Sequence, residues 1–306
     1  MHISFFCKDD NASAWLADLR AALPQAIVTP WQPGAALADI AVVWAPPQHM
    51  FDEQTQLRTI FNVGAGVDAL MQLRLPPQAL VVRLDDAGMA VQMAEYVCHA
   101  VSQYTRGFDR YQSDAQGANW VRRPPLNRAE FPVGILGLGV LGQRVAQALQ
   151  HFEYPVLGWS RTPKTISGVR CYAGPSQRAA LLASSRLLVC LLPRTPETKG
   201  IVNLATLSQL QPNGYLINVA RGAHLVEADL LTLLDSGHLA GATLDVFRTE
   251  PLPPSHPFWR HPRIRVTPHI SASTVPRQSM AQIVGKIQAL ARGEPVSAIV
   301  NPNHGY

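Results

Sequence analysis

Three side chains of complementary chemistry follow short apolar segments in the second half of the sequence: Arg221, Glu250 and His269. An arginine can hold a carboxylate or polarise a carbonyl group. A histidine can donate a proton to a carbonyl oxygen, and a neighbouring glutamate would keep that histidine cationic. We therefore predict that these three are catalytic residues suited to the reduction of a small 2-keto acid, and that Arg221 and His269 also contact the substrate.

The positions of these residues along the chain support this interpretation, because ligands of open α/β sheets bind at the carboxyl ends of the strands. Taken singly, each residue also has an ordinary alternative. Arg221 could pair on the surface, Glu250 could be a loop residue, and His269 could be structural, as the chain has nine other histidines. The apolar segments that precede them are predicted strands at 214–219, 241–246 and 264–267.

A glycine-rich segment, Gly137-Leu-Gly139-Val-Leu-Gly142, lies between a predicted strand at 131–136 and a predicted helix at 140–151. In such a motif the first glycine allows the tight turn, the second lets a pyrophosphate approach, and the third lets helix and strand pack closely. The helix N-terminus adds free N–H groups and a positive dipole end. The alternative is a plain strand–helix turn. We predict that a dinucleotide contacts Gly137, Leu138, Gly139, Val140, Leu141 and Gly142.

The end of the next predicted strand, 155–159, indicates which dinucleotide binds. An NAD site has an Asp or Glu here for the ribose 2′-hydroxyl, but this sequence has Ser160 followed by Arg161. An arginine binds a 2′-phosphate through two hydrogen bonds, whereas a carboxylate would repel it. Arg161 could otherwise be a solvated loop charge. We predict NADP(H) as the cofactor, contacted by Ser160, Arg161, Thr162 and Lys164.

Short β-type segments alternate with helical patterns along the whole chain, which indicates parallel sheets with crossover helices. A polar stretch at 109–130 that contains Pro124 and Pro125 is predicted to be irregular. The pattern then restarts more strongly and contains one complete doubly wound domain. The other predicted strands are 2–7, 26–29, 39–44, 59–63 and 186–192, and the other predicted helices are 12–22, 89–107, 226–236 and 275–291.

The predicted fold class is therefore α/β, with two parallel-sheet domains and an active cleft between them. A Rossmann-type NADP-binding domain, residues 99–279, is expected to be inserted in a flavodoxin-like substrate-binding domain made of residues 1–98 and 280–306. The length of 306 residues suits two domains.

Composition and charge exclude several classes of protein. Basic residues outnumber acidic ones to give a net charge of +5, but they are scattered, without the stripe of a nucleic-acid binder. The most apolar stretch, 181–192, is interrupted by Ser184, Ser185 and Arg186, so no membrane span is expected. Residues 1–10 lack a signal-peptide pattern, and no metal-type CxxC pair occurs. We expect a cytoplasmic protein with reduced cysteines, no bound metal, and no nucleic-acid or membrane partner.

At these motifs the sequence resembles the D-isomer-specific 2-hydroxyacid dehydrogenases and, within them, a bacterial group of glyoxylate and hydroxypyruvate reductases. The matches follow in order over most of the chain and are jointly specific. Smaller matches are 63–68, 159–162 and the end of the chain. The main matches are the glycine motif, Leu191–Pro193 with Thr195–Thr198, Asn218–Gly222, Leu244–Pro254 and Thr267–His269.

The resemblance implies a role for each matched position. Arg221 takes the place of the catalytic arginine, His269 that of the proton donor, and Glu250 that of its partner. Asp245 matches a residue near the nicotinamide carboxamide, and a homodimer through the cofactor domain is implied. One departure is 271–273, Ser-Ala-Ser, where small residues, often glycine, are usual. Further implied cofactor contacts are Leu192, Pro193, Thr198, Val219 and Ala220.

The substrate is expected to meet residues of the first half of the chain as well. Gly64, Ala65 and Gly66 match a loop whose backbone N–H groups hold the substrate carboxylate, although two glycines often mark only a turn. Trp44 could form a wall of a small pocket, or could equally be a core aromatic.

The expected reaction is NADPH-dependent reduction of glyoxylate to glycolate and of hydroxypyruvate to glycerate. Another 2-hydroxyacid dehydrogenase, of phosphoglycerate or formate type, stays open as an alternative, although the missing acidic residue at position 160 disfavours NAD users. A dinucleotide-sensing, corepressor-like binding protein is an alternative of a different class, because such proteins can retain the same three residues.

Overall fold

The computed structural model describes residues 1–8 and 12–301, and the chain divides into two compact units. The first unit contains Met1–Gly88 and the chain from Thr274 onward, and the second contains Met89–Ser273. The strands are β1 His2–Cys7, β2 Ile27–Pro30, β3 Ile40–Trp44, β4 Thr59–Asn62, β5 Leu80–Val82, β6 Val133–Leu136, β7 Val156–Ser160, β8 Val169–Ala173, β9 Leu187–Cys190, β10 Gly214–Asn218, β11 Leu239–Leu244 and β12 Ile264–Val266.

The α-helices lie between these strands and at the end of the described chain. They are α1 Ala12–Ala22, α2 Gln48–Glu53, α3 Met89–Arg106, α4 Phe108–Gln116, α5 Val140–His151, α6 Gly174–Ala183, α7 Leu204–Leu207, α8 Glu227–Asp235 and α9 Pro276–Ala291. None of the helices among the described residues is long and apolar enough to cross a membrane.

The limits of the two units follow whole helices. Residue 98, the end of the first predicted segment, lies inside α3, and residue 279 lies inside α9. Buried residues of α3 share a hydrophobic cluster with those of α5, so the whole of α3 belongs to the second unit. The whole of α9 belongs to the first. The assignment of substrate to one unit and cofactor to the other stays a prediction.

The first unit is built on a parallel five-stranded sheet with the strand order β2-β1-β3-β4-β5. This order is the flavodoxin-like one and confirms that part of the predicted fold class. Strand β3 is paired with β4 so that Val43 lies opposite Asn62. The carboxyl ends of these two neighbours therefore lie at the same edge of the sheet.

The second unit is built on a parallel seven-stranded sheet with the order β12-β11-β10-β9-β6-β7-β8. Its chain crosses from one side of β6 to the other between β8 and β9, which is the Rossmann arrangement with one further strand. The predicted fold class is confirmed here also. Loops at the carboxyl ends of β6 and β9 meet at this reversal of strand order, where a dinucleotide is expected to bind.

Both faces of the seven-stranded sheet are covered by helices, as the burial of strand β9 shows. Its residues are all buried, as parallel strands between two helical layers require. Leu187 and Val189 face one hydrophobic cluster, which contains α3 and α5. Leu188 and Cys190 face the other, which contains α6 and α8. Because alternate residues of a strand point to opposite faces, the four apolar residues of β9 contribute two side chains to each of the two helix–sheet interfaces.

Helix α5 has the apolar spacing that its position in the fold demands. Gly142, Val145, Ala146 and Leu149 are buried, three or four residues apart, and form one face of the helix. That face packs against the sheet and α3. The N-terminus of α5 is thereby fixed directly after the loop that follows β6.

Most predicted elements are found within one to three residues of their expected ends, but one prediction is wrong. The stretch 109–130 contains a regular helix, since α4 extends from Phe108 to Gln116. Its nine residues are mostly polar and all at least partly exposed, and the three apolar ones, Phe108, Tyr111 and Ala115, are too few to predict a helix from the sequence. Not predicted individually were the short elements α2, β5, β8, α6 and α7.

Candidate active site

The glycine motif forms the turn between β6 and α5, and two of its glycines are required by contacts within the protein. Gly137 has φ +105°, and a Cβ there would lie 2.7 Å from the carbonyl oxygen of Leu191. A Cβ at Gly142 would lie 1.9 Å from the carbonyl oxygen of Gly137. Any side chain at either position would therefore separate the first turn of α5 from the sheet.

Gly139 is different, because a Cβ there would meet nothing within 4 Å. It is exposed and precedes the first residue of α5, and no side chain caps this helix. Open space beside an uncapped helix N-terminus is the arrangement that binds a pyrophosphate. The residues present therefore fit a dinucleotide, and the neighbouring residues are Leu138, which is buried, and Val140 and Leu141, which are not.

Ser160 is the last residue of β7, as the adenosine-ribose site requires, and is 8% exposed. Its hydroxyl donates to the carbonyl oxygen of Thr162 at 2.7 Å, which folds the loop back at the strand end. Arg161, Thr162 and Lys164 are exposed in this loop. The described part of the loop brings two cations and no carboxylate to the strand end.

The loop after β9 is closed by Thr198. The Thr198 hydroxyl donates to the carbonyl oxygen of Pro193 at 2.7 Å and accepts the N–H of Thr195 at 2.8 Å. Leu192 is buried at the strand end and Pro193 is partly exposed. Thr198 therefore shapes the loop that would face a cofactor, and its own contact with the cofactor stays a prediction.

Arg221 lies in extended backbone directly after the buried residues Val219 and Ala220, and is partly exposed. One of its N–H groups donates to the carbonyl oxygen of Ala220 at 2.6 Å. The amide of Asn218, at the end of β10, donates to the carbonyl oxygen of Arg221 at 3.2 Å. A Cβ at Gly222 would lie only 1.8 Å from the carbonyl carbon of Phe247, so the loop carrying Arg221 is packed against the loop after β11.

Glu250 and His269 form a direct pair. Oε2 of Glu250 lies 2.7 Å from Nδ1 of His269, and Oε1 accepts the N–H of Phe247 at 2.8 Å. The side chains are 36% and 45% exposed respectively. Because Nδ1 faces the carboxylate, Nε2 is the ring atom through which His269 can donate a proton to a ligand.

The backbone of His269 is in the left-handed region, with φ +56°, which is disfavoured for a residue with a side chain. Several hydrogen bonds hold it there, most of them to Asp245, and the N–H of His269 also lies 3.1 Å from the carbonyl oxygen of Thr267. The N–H of His269 donates to the carbonyl oxygen of Asp245 at 2.8 Å, and those of Ile270 and Ser271 donate to its carboxylate, each at 2.8 Å. Asp245 is fully buried; it holds the histidine loop, and its predicted contact with the cofactor is a separate expectation.

The predicted substrate loop lies in the first unit, after β4. The Asn62 amide donates to the carbonyl oxygens of Gly64 and Gly66 at 2.9 and 3.0 Å. Within the described part of the chain, no acceptor engages the N–H groups of Gly64, Ala65 or Gly66. Trp44, at the end of β3, is 37% exposed, and a Cβ at Gly64 would lie 2.5 Å from its ring. Trp44 and the loop therefore lie in contact at the carboxyl edge of this sheet.

Three residues that support the site were not predicted as site residues: Asn218, Thr267 and Tyr96. Asn218 and Thr267 lay within recognised motifs, so their positions at strand ends could have suggested them. Tyr96 lies on α3, and its hydroxyl is 2.5 Å from that of Thr267, 171 residues further along the chain. Nothing in the sequence pattern signals that contact.

Comparisons with known proteins agree with this architecture. Residues 98–271 match the family model described as "D-isomer specific 2-hydroxyacid dehydrogenase, NAD binding domain". A protein named glyoxylate/hydroxypyruvate reductase A from Serratia proteamaculans is 50% identical, with all of both chains covered. The chain therefore belongs to the D-isomer specific 2-hydroxyacid dehydrogenase family.

Two solved structures are similar over nearly the whole of both chains. A D-isomer specific 2-hydroxyacid dehydrogenase from Xanthobacter autotrophicus in complex with NADPH has a TM-score of 0.93 and 38% identity, with 100% of this chain and 99% of that one covered. An NADPH-dependent glyoxylate/hydroxypyruvate reductase from Sinorhizobium meliloti, bound to NADP and sulfate, has a TM-score of 0.92, 35% identity and the same coverage.

The first prediction concerns the Glu250–His269 pair. Replacement Glu250→Gln keeps the size of the side chain but removes the charge that favours an imidazolium. If protonated His269 donates the proton, activity should disappear at a lower pH than in the parent enzyme, as measured by a pH–rate profile of keto-acid reduction. Glu227→Gln is the matched control, because Glu227 pairs with His256 at 3.4 Å elsewhere in the same unit. Identical profiles for the parent and Glu250→Gln would contradict the pairing.

Proposed function

We propose that this protein is an NADPH-dependent reductase of glyoxylate and hydroxypyruvate, forming glycolate and glycerate. The observation that carries the proposal is the His269–Glu250 pair at 2.7 Å, located beside the Arg221 loop in a unit with a complete dinucleotide-binding turn. Family membership supplies the reaction type, and the names of the relatives supply the substrate class.

The residues that would hold the cofactor follow the carboxyl ends of neighbouring strands. The α5 N-terminus and Gly139 would bind the pyrophosphate, and Arg161 with Lys164 would bind the 2′-phosphate. When bound, NADPH supplies a hydride to the carbonyl carbon of the substrate. Leu192, Pro193, Val219 and Ala220, at the ends of β9 and β10, would line the remainder of the cofactor site.

The chain's own residues bind the keto acid and supply the proton. Backbone N–H groups of the 64–66 loop bind the carboxylate, and Trp44 beside them limits the size of the substrate. The Arg221 guanidinium holds the carboxylate or polarises the carbonyl group. His269 donates a proton from Nε2 to the carbonyl oxygen, and the negative charge of Glu250 stabilises the protonated ring before the transfer. Hydride and proton together convert the keto acid to the hydroxy acid.

The second prediction tests this assignment. His269→Ala should lower kcat for glyoxylate and hydroxypyruvate by about 10²- to 10⁴-fold, which is the usual worth of general acid catalysis. NADPH affinity, measured by the cofactor's fluorescence, should change little, because the phosphate-binding residues lie elsewhere. His151→Ala is the control, since His151 is exposed at the far end of α5.

The same assay separates the proposed enzyme from a protein that only senses dinucleotides. Purified parent protein that binds NADPH but turns over neither keto acid would favour the sensing alternative. Turnover of other keto acids, such as pyruvate or phenylpyruvate, in preference to glyoxylate and hydroxypyruvate would place the enzyme elsewhere in the family. Near-parent turnover by His269→Ala would remove this residue from its assigned role.

The third prediction concerns cofactor choice. The Arg161 guanidinium should bind the 2′-phosphate by a charge-assisted hydrogen bond worth about 1.5–3 kcal/mol. The parent should therefore prefer NADPH to NADH by at least about tenfold in kcat/KM. Arg161→Ala should reduce efficiency with NADPH much more than with NADH, and Ser160→Asp should narrow or reverse the preference.

A matched control for this experiment is Arg170→Ala, because Arg170 is another exposed cation, on the adjacent strand β8, that packs over the Tyr172 ring at 5.3 Å. It should leave the ratio of the two efficiencies unchanged. The NADPH advantage should also shrink as the salt concentration rises, because part of it is electrostatic. Equal loss with both cofactors in Arg161→Ala would refute this interpretation of the loop.

We also propose a cytoplasmic homodimer, joined through the second unit. Cys98, Cys171 and Cys190 form no disulfide bond, as expected in a reducing compartment, and burial raises the pKa of the Cys190 thiol to about 12. Trp120 is 95% exposed, with Phe108 and Val121 also exposed nearby in sequence. Exposed aromatic side chains of this kind are typical anchors of protein interfaces.

The fourth prediction follows from this exposed group. Light scattering should give the parent twice the mass of one chain, and Trp120→Glu should shift the protein toward the monomer, because a carboxylate would be buried without a partner in an apolar interface. Trp259→Glu is the control, since Trp259 is 49% exposed in another part of the same unit. A monomeric parent, or a Trp120→Glu variant that remains fully dimeric, would contradict the proposal.

A further inference from the structure

Two hydroxyl groups outside the predicted catalytic set are connected to the histidine loop. The Thr267 hydroxyl donates to Oδ1 of Asp245 at 2.6 Å. The Tyr96 hydroxyl lies 2.5 Å from that of Thr267. Because the single hydroxyl proton of Thr267 is given to the carboxylate, the Tyr96 hydroxyl must be the donor in the second bond. The bonds therefore have one direction, from Tyr96 to Thr267 to Asp245.

The end of this chain of bonds is the residue that holds the histidine loop. Oδ1 of Asp245 accepts from both Thr267 and the N–H of Ile270, and Oδ2 accepts from the N–H of Ser271. Rotation of this carboxylate would therefore release the two N–H groups directly after His269. The left-handed residue His269 directly precedes these two N–H groups, and its own N–H donates to the main-chain carbonyl oxygens of Asp245 and Thr267.

We propose that Thr267 and Tyr96 are positioning residues for proton transfer: they fix the Asp245 carboxylate and, through it, the direction of the His269 side chain. This proposal deepens the proposed function and rests on it. Neither hydroxyl touches His269 or Glu250 in a hydrogen bond of the described structure, so both act only through Asp245. Burial raises the pKa of Tyr96 to about 12, so its hydroxyl keeps the proton that it donates throughout the working pH range.

The chain contains a matched control for this pair. Tyr215, near the start of β10, and Thr243, near the end of β11 of the same sheet, form a second Tyr–Thr contact with hydroxyl oxygens 2.8 Å apart. Thr243→Val and Tyr215→Phe remove the same chemical groups from the same unit. They leave the bonds around Asp245 unchanged.

The fifth prediction compares these variants. Thr267→Val should lower kcat for glyoxylate by about tenfold or more, because misaligned reacting groups lose rate steeply. The KM for NADPH should change by less than about threefold, because the loop does not bind phosphate. Thr267→Ser restores the hydroxyl and should recover kcat to within about threefold of the parent. Tyr96→Phe should have a smaller effect in the same direction, while Thr243→Val and Tyr215→Phe should keep the parent kcat.

Hydrogen exchange supplies a readout that does not depend on turnover. The amides of Ile270 and Ser271 should exchange faster in Thr267→Val than in the parent, and at the parent rate in Thr243→Val. If the parent reduces no keto acid, the proposed function fails, and the exchange rates alone decide whether Thr267 orders the loop. The proposal would be overturned if Thr267→Val changed neither the exchange rates nor kcat, or if Thr267→Ser did not recover kcat. It would also be overturned if kcat fell in both Thr267→Val and Thr243→Val only in proportion to their loss of thermal stability.

Discussion

The conformation of the loop that carries His269 depends on one buried carboxylate, that of Asp245. Asp245 has no exposed surface, and an ionised carboxylate removed from water is tolerated only where several donors compensate it. Here the donors are one hydroxyl and two consecutive backbone N–H groups. The chain after β12 therefore has to curl around the end of β11, and His269 lies at the start of that curl. A structural requirement of the core thus decides where His269 lies.

A second constraint is the close approach of backbone segments at the same edge of the sheet. At Gly142 and Gly222 a single methyl group would overlap a main-chain carbonyl group. At Gly139 a methyl group would meet no other atom of the protein within 4 Å. Gly142 and Gly222 are therefore required by the packing of the fold, whereas the space beside Gly139 is open. Within the glycine motif, this contrast separates Gly142, which the packing of the protein requires, from Gly139, which it does not.

The sequence allowed the fold class and the location of the site to be predicted because both depend on local signals. Apolar strands such as β9 are continuous runs, and Arg221, Glu250 and His269 each follow a strand. It did not reveal α4, whose nine residues are mostly polar, nor the bond between Tyr96 and Thr267, which joins residues 171 positions apart. Ser160 is predicted to contact the cofactor, and the bond of its hydroxyl to the Thr162 carbonyl is visible only in three dimensions.

The two carboxylates near His269 illustrate how environment divides roles between similar groups. Asp245 is wholly buried, and its oxygens accept from the Thr267 hydroxyl and from the N–H groups of Ile270 and Ser271, so it serves the backbone of the histidine loop. Glu250 is 36% exposed, is held by one backbone N–H, and gives its other oxygen to the imidazole ring. Only the second carboxylate contacts the imidazole ring of His269. If His269 donates the proton as proposed, the carboxylate that holds the histidine loop in place is therefore a different one from the carboxylate that contacts its ring.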